Sequence, residues 1–271
     1  MKVIAHLSDP HFGTQSPAIA DALLAELDGG RGPRTSLVAL SGDLTQRAKR
    51  PQFREARAFL DQLPCPHLVV PGNHDVPMYN VIERLTDPLG RYREHITDDL
   101  SPTYTDDTLA VAGIATAHGR TIQDGRITRA QIEAAREYFA NNGRSQWKIV
   151  VAHHPFHGPD VADSDLADGA ADALAAFRSV GVHLILTGHL HIAYSGESAM
   201  RDEDHRIISV HAGTCMSSRT RGEPNNYNRI TFDKDQVTIQ LRVWNGTKFI
   251  AGHAKTYQRS GATRELRKIA D

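Results

Sequence analysis

Asp9 and His11, Asp43, Asn73 to Asp75, His153 and His154, and His189 and His191 are the residues of this chain whose types and spacing suit catalysis. Among them, Asp9, His11, Asp43, Asn73, His153, His189 and His191 form a candidate metal-ligand set. Two carboxylates, one amide oxygen and several imidazoles are mixed oxygen and nitrogen donors without a thiolate. Such a set suits divalent Mn, Fe, Co, Ni or Zn. Seven donors are too many for one ion and suffice for two if one carboxylate bridges. A two-metal centre with ions roughly 3.5–4 Å apart can bind a phosphoryl group, lower the pKa of a bound water and stabilise an in-line displacement. Taken singly, each Asp or Asn reads as a strand-end cap, because both favour turns. Taken together, they point to one site.

Those residues need elements that bring them together. Each group follows a short run rich in Val, Ile and Leu. The expected strands are Val3 to Leu7, Ser36 to Leu40, His67 to Val70, Leu109 to Ile114, Lys148 to Ala152 and His183 to Leu186. In an open α/β sheet the carboxyl ends of the strands share the edge where ligands bind, so the five polar loops should converge there. Gly42, Gly72 and Gly188 each precede a candidate ligand, where a residue without Cβ lets the chain turn sharply out of its strand.

Helices fit between the strands. Ser16 with Pro17 starts one that presents Ile19, Leu23 and Leu27 on a single face; Phe53, Ala56, Leu60 and Leu63 repeat at helical spacing. Thr128 and Gln131 form a capping-box pair ahead of Ile132, Ala135 and Phe139, and Leu174 and Phe177 mark a helix that Gly181 can end. Strand–helix alternation argues an α/β fold. The last quarter differs: Ile207 to His211, Arg229 to Phe232 and Val237 to Val243 read as strands with little helix between them. Val237, Ile239, Leu241 and Val243 alternate with Thr238, Gln240 and Arg242 as in an antiparallel sheet, and a hairpin turn is expected at Asp233 to Gln236. A two-sheet mixed sandwich flanked by helices accommodates both parts.

Residues 1–258 are expected to form the main domain. The stretch 77–108 lacks a clear strand, has a helix expected around Asn80 to Arg93, and is either a pocket-shaping insertion or a surface excursion. Residues 259–271 are expected to form a peripheral tail with a short helix from Thr263 to Ile269.

Net charge is -1, from 31 basic and 32 acidic residues, which gives no sign of a nucleic-acid or membrane partner. No stretch approaches the roughly 18 consecutive apolar residues of a membrane helix. The first residues run directly into Ser8-Asp9 without a long apolar segment or cleavage site, so a cytoplasmic location is expected. Cys65 and Cys215, far apart, read as free thiols in a reducing compartment.

Asp9-x-His11, Gly42-Asp43, Gly72-Asn73-His74-Asp75, His153-x-Pro155 and Gly188-His189-x-His191, in this order, resemble the signature of the calcineurin-like metallophosphoesterases over roughly residues 3–214. The resemblance implies a four-layer α/β/β/α fold. It also implies one metal on Asp9, His11 and His191, a second on Asn73, His153 and His189, and Asp43 bridging. His74 would sit beside the phosphate and protonate the leaving oxygen or stabilise the transition state, with Asp75 orienting it. Of the adjacent pair, His153 aligns as the ligand and His154 as a supporting or pocket-lining residue. Gly42-Asp43 continues as Leu44-Thr45-Gln46, so the Asp-Arg-Gly extension of the protein phosphatases is absent. Asp75 stands where those enzymes carry Glu, and no tyrosine follows Asp43 at the spacing of purple acid phosphatases. The blocks most resemble the bacterial class III cyclic-nucleotide and glycerophosphodiester phosphodiesterases.

The expected activity is hydrolysis of small phosphodiesters by hydroxide held between two metals. A phosphomonoesterase or a nucleotide-sugar or lipid pyrophosphatase comes next, then a nuclease or a non-catalytic binding scaffold. The partner expected is a small-molecule phosphoester. His118 and Arg120 follow a strand and can meet substrate phosphate, as can His154. Arg219 and Arg221 lie on a loop from which they can reach an anion, but read as solvated; Cys215 reads as a small apolar residue and His211 as a strand-end group.

Overall fold

In a computed structural model, the described residues are all except 31, 143–144, 158–164, 198–206, 261–265 and 271. Two sheets lie face to face. The first contains β1 (Lys2–Leu7), β2 (Leu37–Ser41), β3 (His67–Val70), β10 (Asn226–Asp233), β11 (Gln236–Trp244), β12 (Phe249–Arg259) and β13 (Leu266–Ala270), in the order β13-β12-β11-β10-β1-β2-β3. The second contains β4 (Thr103–Thr105), β5 (Leu109–Ile114), β6 (Trp147–Ala152), β7 (Leu184–Thr187), β8 (Tyr194–Glu197) and β9 (Ile208–His211), in the order β4-β5-β6-β7-β9-β8. β1, β2 and β3 run parallel, as do β5, β6, β7 and β9; β10 to β13 form an antiparallel meander on the outer edge of β1.

Three apolar layers hold these sheets. Between them, Ile4, Leu37 and Val70 of the first meet Val111, Ile149 and Leu186 of the second, with Trp147 against Phe232 at 5.4 Å between ring centroids. Outside the first sheet lie α1 (Pro17–Leu27) and α2 (Arg50–Leu60), burying Leu23, Leu27, Phe53 and Ala56. Outside the second lie α5 (Arg129–Asn141) and α6 (Ala170–Ser179), burying Ile132, Phe139, Leu174 and Phe177. Helix, sheet, sheet and helix make the four-layer α/β/β/α arrangement. The capping box forms as the spacing predicts: Thr128 Oγ1 accepts from Gln131 N, and Gln131 Oε1 accepts from Thr128 N at 2.9 Å. Ser16 occupies the N-cap position of α1 without a side-chain cap.

Several elements depart from the sequence expectation, and β8 and β12 were not expected at all. The helix expected over Asn80 to Arg93 is two short helices, α3 (Val81–Thr86) and α4 (Gly90–His95), because Pro88 disfavours helical backbone at Asp87. The stretch read as lacking a strand contains β4, which pairs antiparallel with β5. The tail expected as a helix from Thr263 to Ile269 carries β13 over Leu266–Ala270, while its first part lies outside the described residues. β12 presents an open edge there, and pairing with that edge overrides local propensity. The alternation expected along Val237 to Val243 holds at Val237 and Ile239 but slips at an irregularity between Gln240 and Arg242, which buries Arg242 instead.

Among the described residues no helix is long and apolar enough to cross a membrane.

Candidate metal centre

The five ligand loops leave the carboxyl ends of strands in both sheets, three from β1, β2 and β3 and two from β6 and β7. The rim where they meet is therefore shared by two sheets rather than belonging to one. Backbone hydrogen bonds continue past the strands: Asp9 N donates to Gly42 O at 3.1 Å, His11 N to Asp43 O at 3.0 Å, and Gly188 N to His153 O at 3.0 Å. Asp9, His11, Asp43, His189 and His191 all have positive φ, between 45° and 70°. Non-glycine residues seldom adopt that conformation, and it concentrates where a site imposes it.

Gly42 has φ 95°, the turn expected of it. Gly72 and Gly188 are needed for a different reason than turning. A Cβ at Gly72 would collide with the Asp43 carboxylate, and one at Gly188 with Ser8 and Asp9.

Asp9 is buried, and its Oδ2 accepts from Ser8 Oγ at 2.6 Å and His189 N at 3.1 Å. Oδ1 is then left without a hydrogen-bond partner, 3.1 Å from His191 Nε2 and 3.6 Å from His11 Nε2. Asp43 spans two groups of imidazoles. Its Oδ1 accepts from His74 N at 2.8 Å and lies 3.4 Å from His153 Nε2; its Oδ2 has no hydrogen-bond partner and lies 3.7 Å from His11 Nε2.

The opposite ring nitrogens fix which lone pairs face inward. His191 Nδ1 bonds Arg219 O at 2.7 Å, and His153 Nδ1 bonds Ser41 O at 2.8 Å. A carbonyl only accepts, so Nδ1 carries the proton in each and Nε2 is left as an acceptor. His191 Nε2 then faces His11 Nε2 at 3.1 Å, and His153 Nε2 faces Asn73 Oδ1 at 3.1 Å. The Asn73 amide is set by Nδ2 donating to Ile122 O at 3.2 Å, which aims Oδ1 at His153 and at His189 Nδ1, the latter also at 3.1 Å. Imidazole nitrogens and carboxylate oxygens gathered this closely in a buried space are a donor set that fits divalent cations. Asp9, His11, Asp43 and His191 form one cluster of converging donors, and His153 and His189 belong to a second that Asn73 completes.

Charge follows the same geometry. Burial alone would raise Asp9 and Asp43, yet the facing imidazoles outweigh it and hold both well below the ordinary carboxylate range. At His153 the charge and hydrogen bond of Asp43 outweigh burial and raise the imidazole to about 9. His189 is pushed down to about 4 by burial and by the charge on His153.

Four expected site residues are placed differently. Asp75 does not orient His74: its carboxylate accepts from Leu44 N, Thr45 N, Thr45 Oγ1 and Gly72 N at 2.8–3.1 Å, tying the second loop to the third. His74 is set instead by its Nδ1 on Gln46 O at 2.9 Å. His154 is fully buried, with Nδ1 on Thr116 Oγ1 at 2.8 Å and Nε2 on Gln123 O at 2.7 Å. Both its nitrogens are engaged, so it packs behind His153 and neither coordinates nor lines the cleft. His118 is half-buried and Arg120 exposed, and neither lines the cleft. His211 bonds His157 O at 3.1 Å away from the centre, and Cys215 is fully buried.

Arg219 is the residue that sequence reasoning undervalued. It lines the cleft beside His74, its Nη1 lying 3.0 Å from His74 Nε2, 3.4 Å from Gln46 Oε1 and 3.5 Å from His11 Nε2. The available signal was its position shortly after β9, as the other site loops follow their strands.

Comparison with known proteins identifies the family. A protein from Synechococcus sp. named as a probable cyclic nucleotide phosphodiesterase is 27% identical over 161 residues, covering 58% of each chain. A glycerophosphodiester phosphodiesterase from Enterobacter lignolyticus is 34% identical over 83 residues, 27% of this chain and 29% of that one. The chain thus spans less than two thirds of the length of these relatives. Among solved structures, GAP50 of Plasmodium, described as the anchor in the inner membrane complex, superposes with a TM-score of 0.52 at 15% identity, covering 99% of this chain and 88% of that one; this is a likeness of fold. The family model for calcineurin-like phosphoesterases matches residues 2–193, a span that takes in all five ligand loops, and the chain belongs to that family.

Proposed function

We propose that the protein is a dinuclear-metal phosphodiesterase acting on small diesters. The observation that carries the reading is the pair of buried carboxylate oxygens, Asp9 Oδ1 and Asp43 Oδ2, which lack hydrogen-bond partners and face imidazole nitrogens. Asp9, His11 and His191 would hold one divalent ion and Asn73, His153 and His189 the other, with Asp43 between them. Such ions supply charge for the phosphate oxygens and a water of lowered pKa. His74, anchored through Nδ1 on Gln46 O, turns Nε2 into the cleft, where it accepts from Arg219 Nη1; once Nε2 has taken up a proton it would pass it to the departing alcohol. Asp75 keeps the second and third loops in register beneath it. The diester preference is supported by the names of the two relatives.

The test is parallel turnover of bis-p-nitrophenyl phosphate, p-nitrophenyl phosphate and cyclic AMP by metal-analysed protein. Faster hydrolysis of a diester than of the monoester, abolished by chelation and restored by a divalent ion, is expected. Monoester preference would reassign it as a phosphomonoesterase. Metal-loaded protein without turnover on any of them would leave a binding scaffold.

A further inference from the structure

The arginines of this protein differ in what answers their charge. Many, such as Arg91, Arg229 and Arg242, pair with a carboxylate. The three that line the cleft, Arg47, Arg84 and Arg219, have no carboxylate partner among the described residues.

Their contacts are weak ones for a guanidinium. Half-buried Arg47 reaches only the thioether of Met78, its Nη1 at 3.5 Å from Sδ. Arg84, 7% exposed, donates Nη1 to Pro77 O at 3.3 Å, while its Nη2 is buried without any partner. Both side chains reach adjacent residues, Pro77 and Met78, and both line the cleft. Arg219 stands apart from them, beside His74 and His11.

A buried donor without an acceptor is costly, and like charges lining one cleft repel unless an anion lies between them. An ordinary phosphodiester brings a single negative charge, which the ligand centre and Arg219 already face. Arg47 and Arg84 remain unanswered, and planar guanidinium groups match phosphate oxygens best.

We propose that the cleft takes a phosphodiester carrying a second phosphoryl group, with the scissile phosphate at the ligand centre and Arg219 and the second phosphate at Arg47 and Arg84. The assignment rests on the phosphodiesterase reading and narrows its substrate class.

The test compares p-nitrophenyl thymidine 5′-phosphate with the same ester bearing a 3′-phosphate, using metal-loaded protein. The bisphosphate ester is expected to show the higher kcat/KM, and Arg84→Gln and Arg47→Gln each to cut the ratio of the two by about tenfold or more, the effect of losing a charge-assisted contact. A ratio near one in the parent protein, or one unmoved by both substitutions, overturns the assignment. If Arg84→Gln does not fold, Arg47→Gln decides, because that side chain is half exposed. Calorimetry with thymidine 3′,5′-bisphosphate and thymidine 5′-monophosphate gives a readout independent of turnover. Arginine-dependent preference for the bisphosphate without hydrolysis of any ester would sink the phosphodiesterase reading alone. Hydrolysis without that preference would sink the second-phosphate site alone.

Discussion

Two buried charged clusters in this protein are built on opposite terms. In one, Glu26 Oε1 on α1 accepts from Arg229 Nη2 at 2.8 Å, Arg242 Nε at 3.0 Å and Arg242 Nη2 at 2.6 Å, with Tyr227 OH at 3.2 Å. None of these four residues has positive φ, and none of their side-chain atoms is buried without a partner. In the other, Asp9 and Asp43 each keep an oxygen without a hydrogen bond, and five of the candidate ligands sit on left-handed backbone. The first cluster is complete in itself and belongs to the fold. The second is completed only by something added to the chain. Burial and charge are common to both, so they cannot distinguish a structural cluster from a working one. Orphaned acceptors and strained backbone do distinguish them.

The comparison is broken most directly at Asp43. Asp43→Ala removes the carboxylate that spans both imidazole groups, so metal content should fall at both, and kcat/KM should drop on the order of 10³-fold, about 4 kcal/mol of barrier. A variant retaining two equivalents of metal would refute the bridging role. Glu26→Ala should act the other way. Two guanidinium groups would stay buried without their anion, so unfolding free energy should fall by about 3–5 kcal/mol, read as a lower urea midpoint. Turnover per folded molecule should be unchanged, and a loss of turnover without loss of stability would erase the distinction between the clusters.

The smallest effect concerns His211, another self-contained polar group. Burial pushes its imidazole down to about 4 from an ordinary 6.5. An unfolded chain takes up a proton there as pH falls below 6.5, while the folded protein resists until near 4. Stability is therefore full above that window and declines as pH falls through it, by about 2 kcal/mol at pH 5. Denaturant midpoints of the parent and of His211→Gln, followed from pH 7 to pH 5, should differ in slope, the variant being the flatter. Parallel slopes would mean that His211 titrates alike in both states.

Much of this was legible along the chain. The strands β1, β2, β3, β5, β6 and β7 were readable because parallel strands buried in a sandwich are short, continuous apolar runs, and each ligand block stands just after one of them. β12 and β13 were not legible. Gly252, Ala254, Lys255 and Gln258 carry little apolar alternation, and what holds this segment is the ladder to β11, a long-range partner. The same limit explains Asp75, whose four donors come from Gly72, Leu44 and Thr45, and His154, whose partners are Thr116 and Gln123. Adjacency in sequence suggested that Asp75 serves His74, but their side chains turn to different loops.

The sequence by itself determined the donor chemistry: which atoms are available, in what order, and after which strands. Residue identity and short-range periodicity are properties of the chain alone. The tertiary structure decided which nitrogen of each imidazole faces inward, which of two adjacent histidines reaches the centre, and that Arg47, Arg84 and Arg219 share one cleft. A lone pair is aimed by whatever holds the far side of its ring. For His153 and His191 those anchors are the carbonyls of Ser41 and Arg219, residues brought near only when the two sheets close on each other.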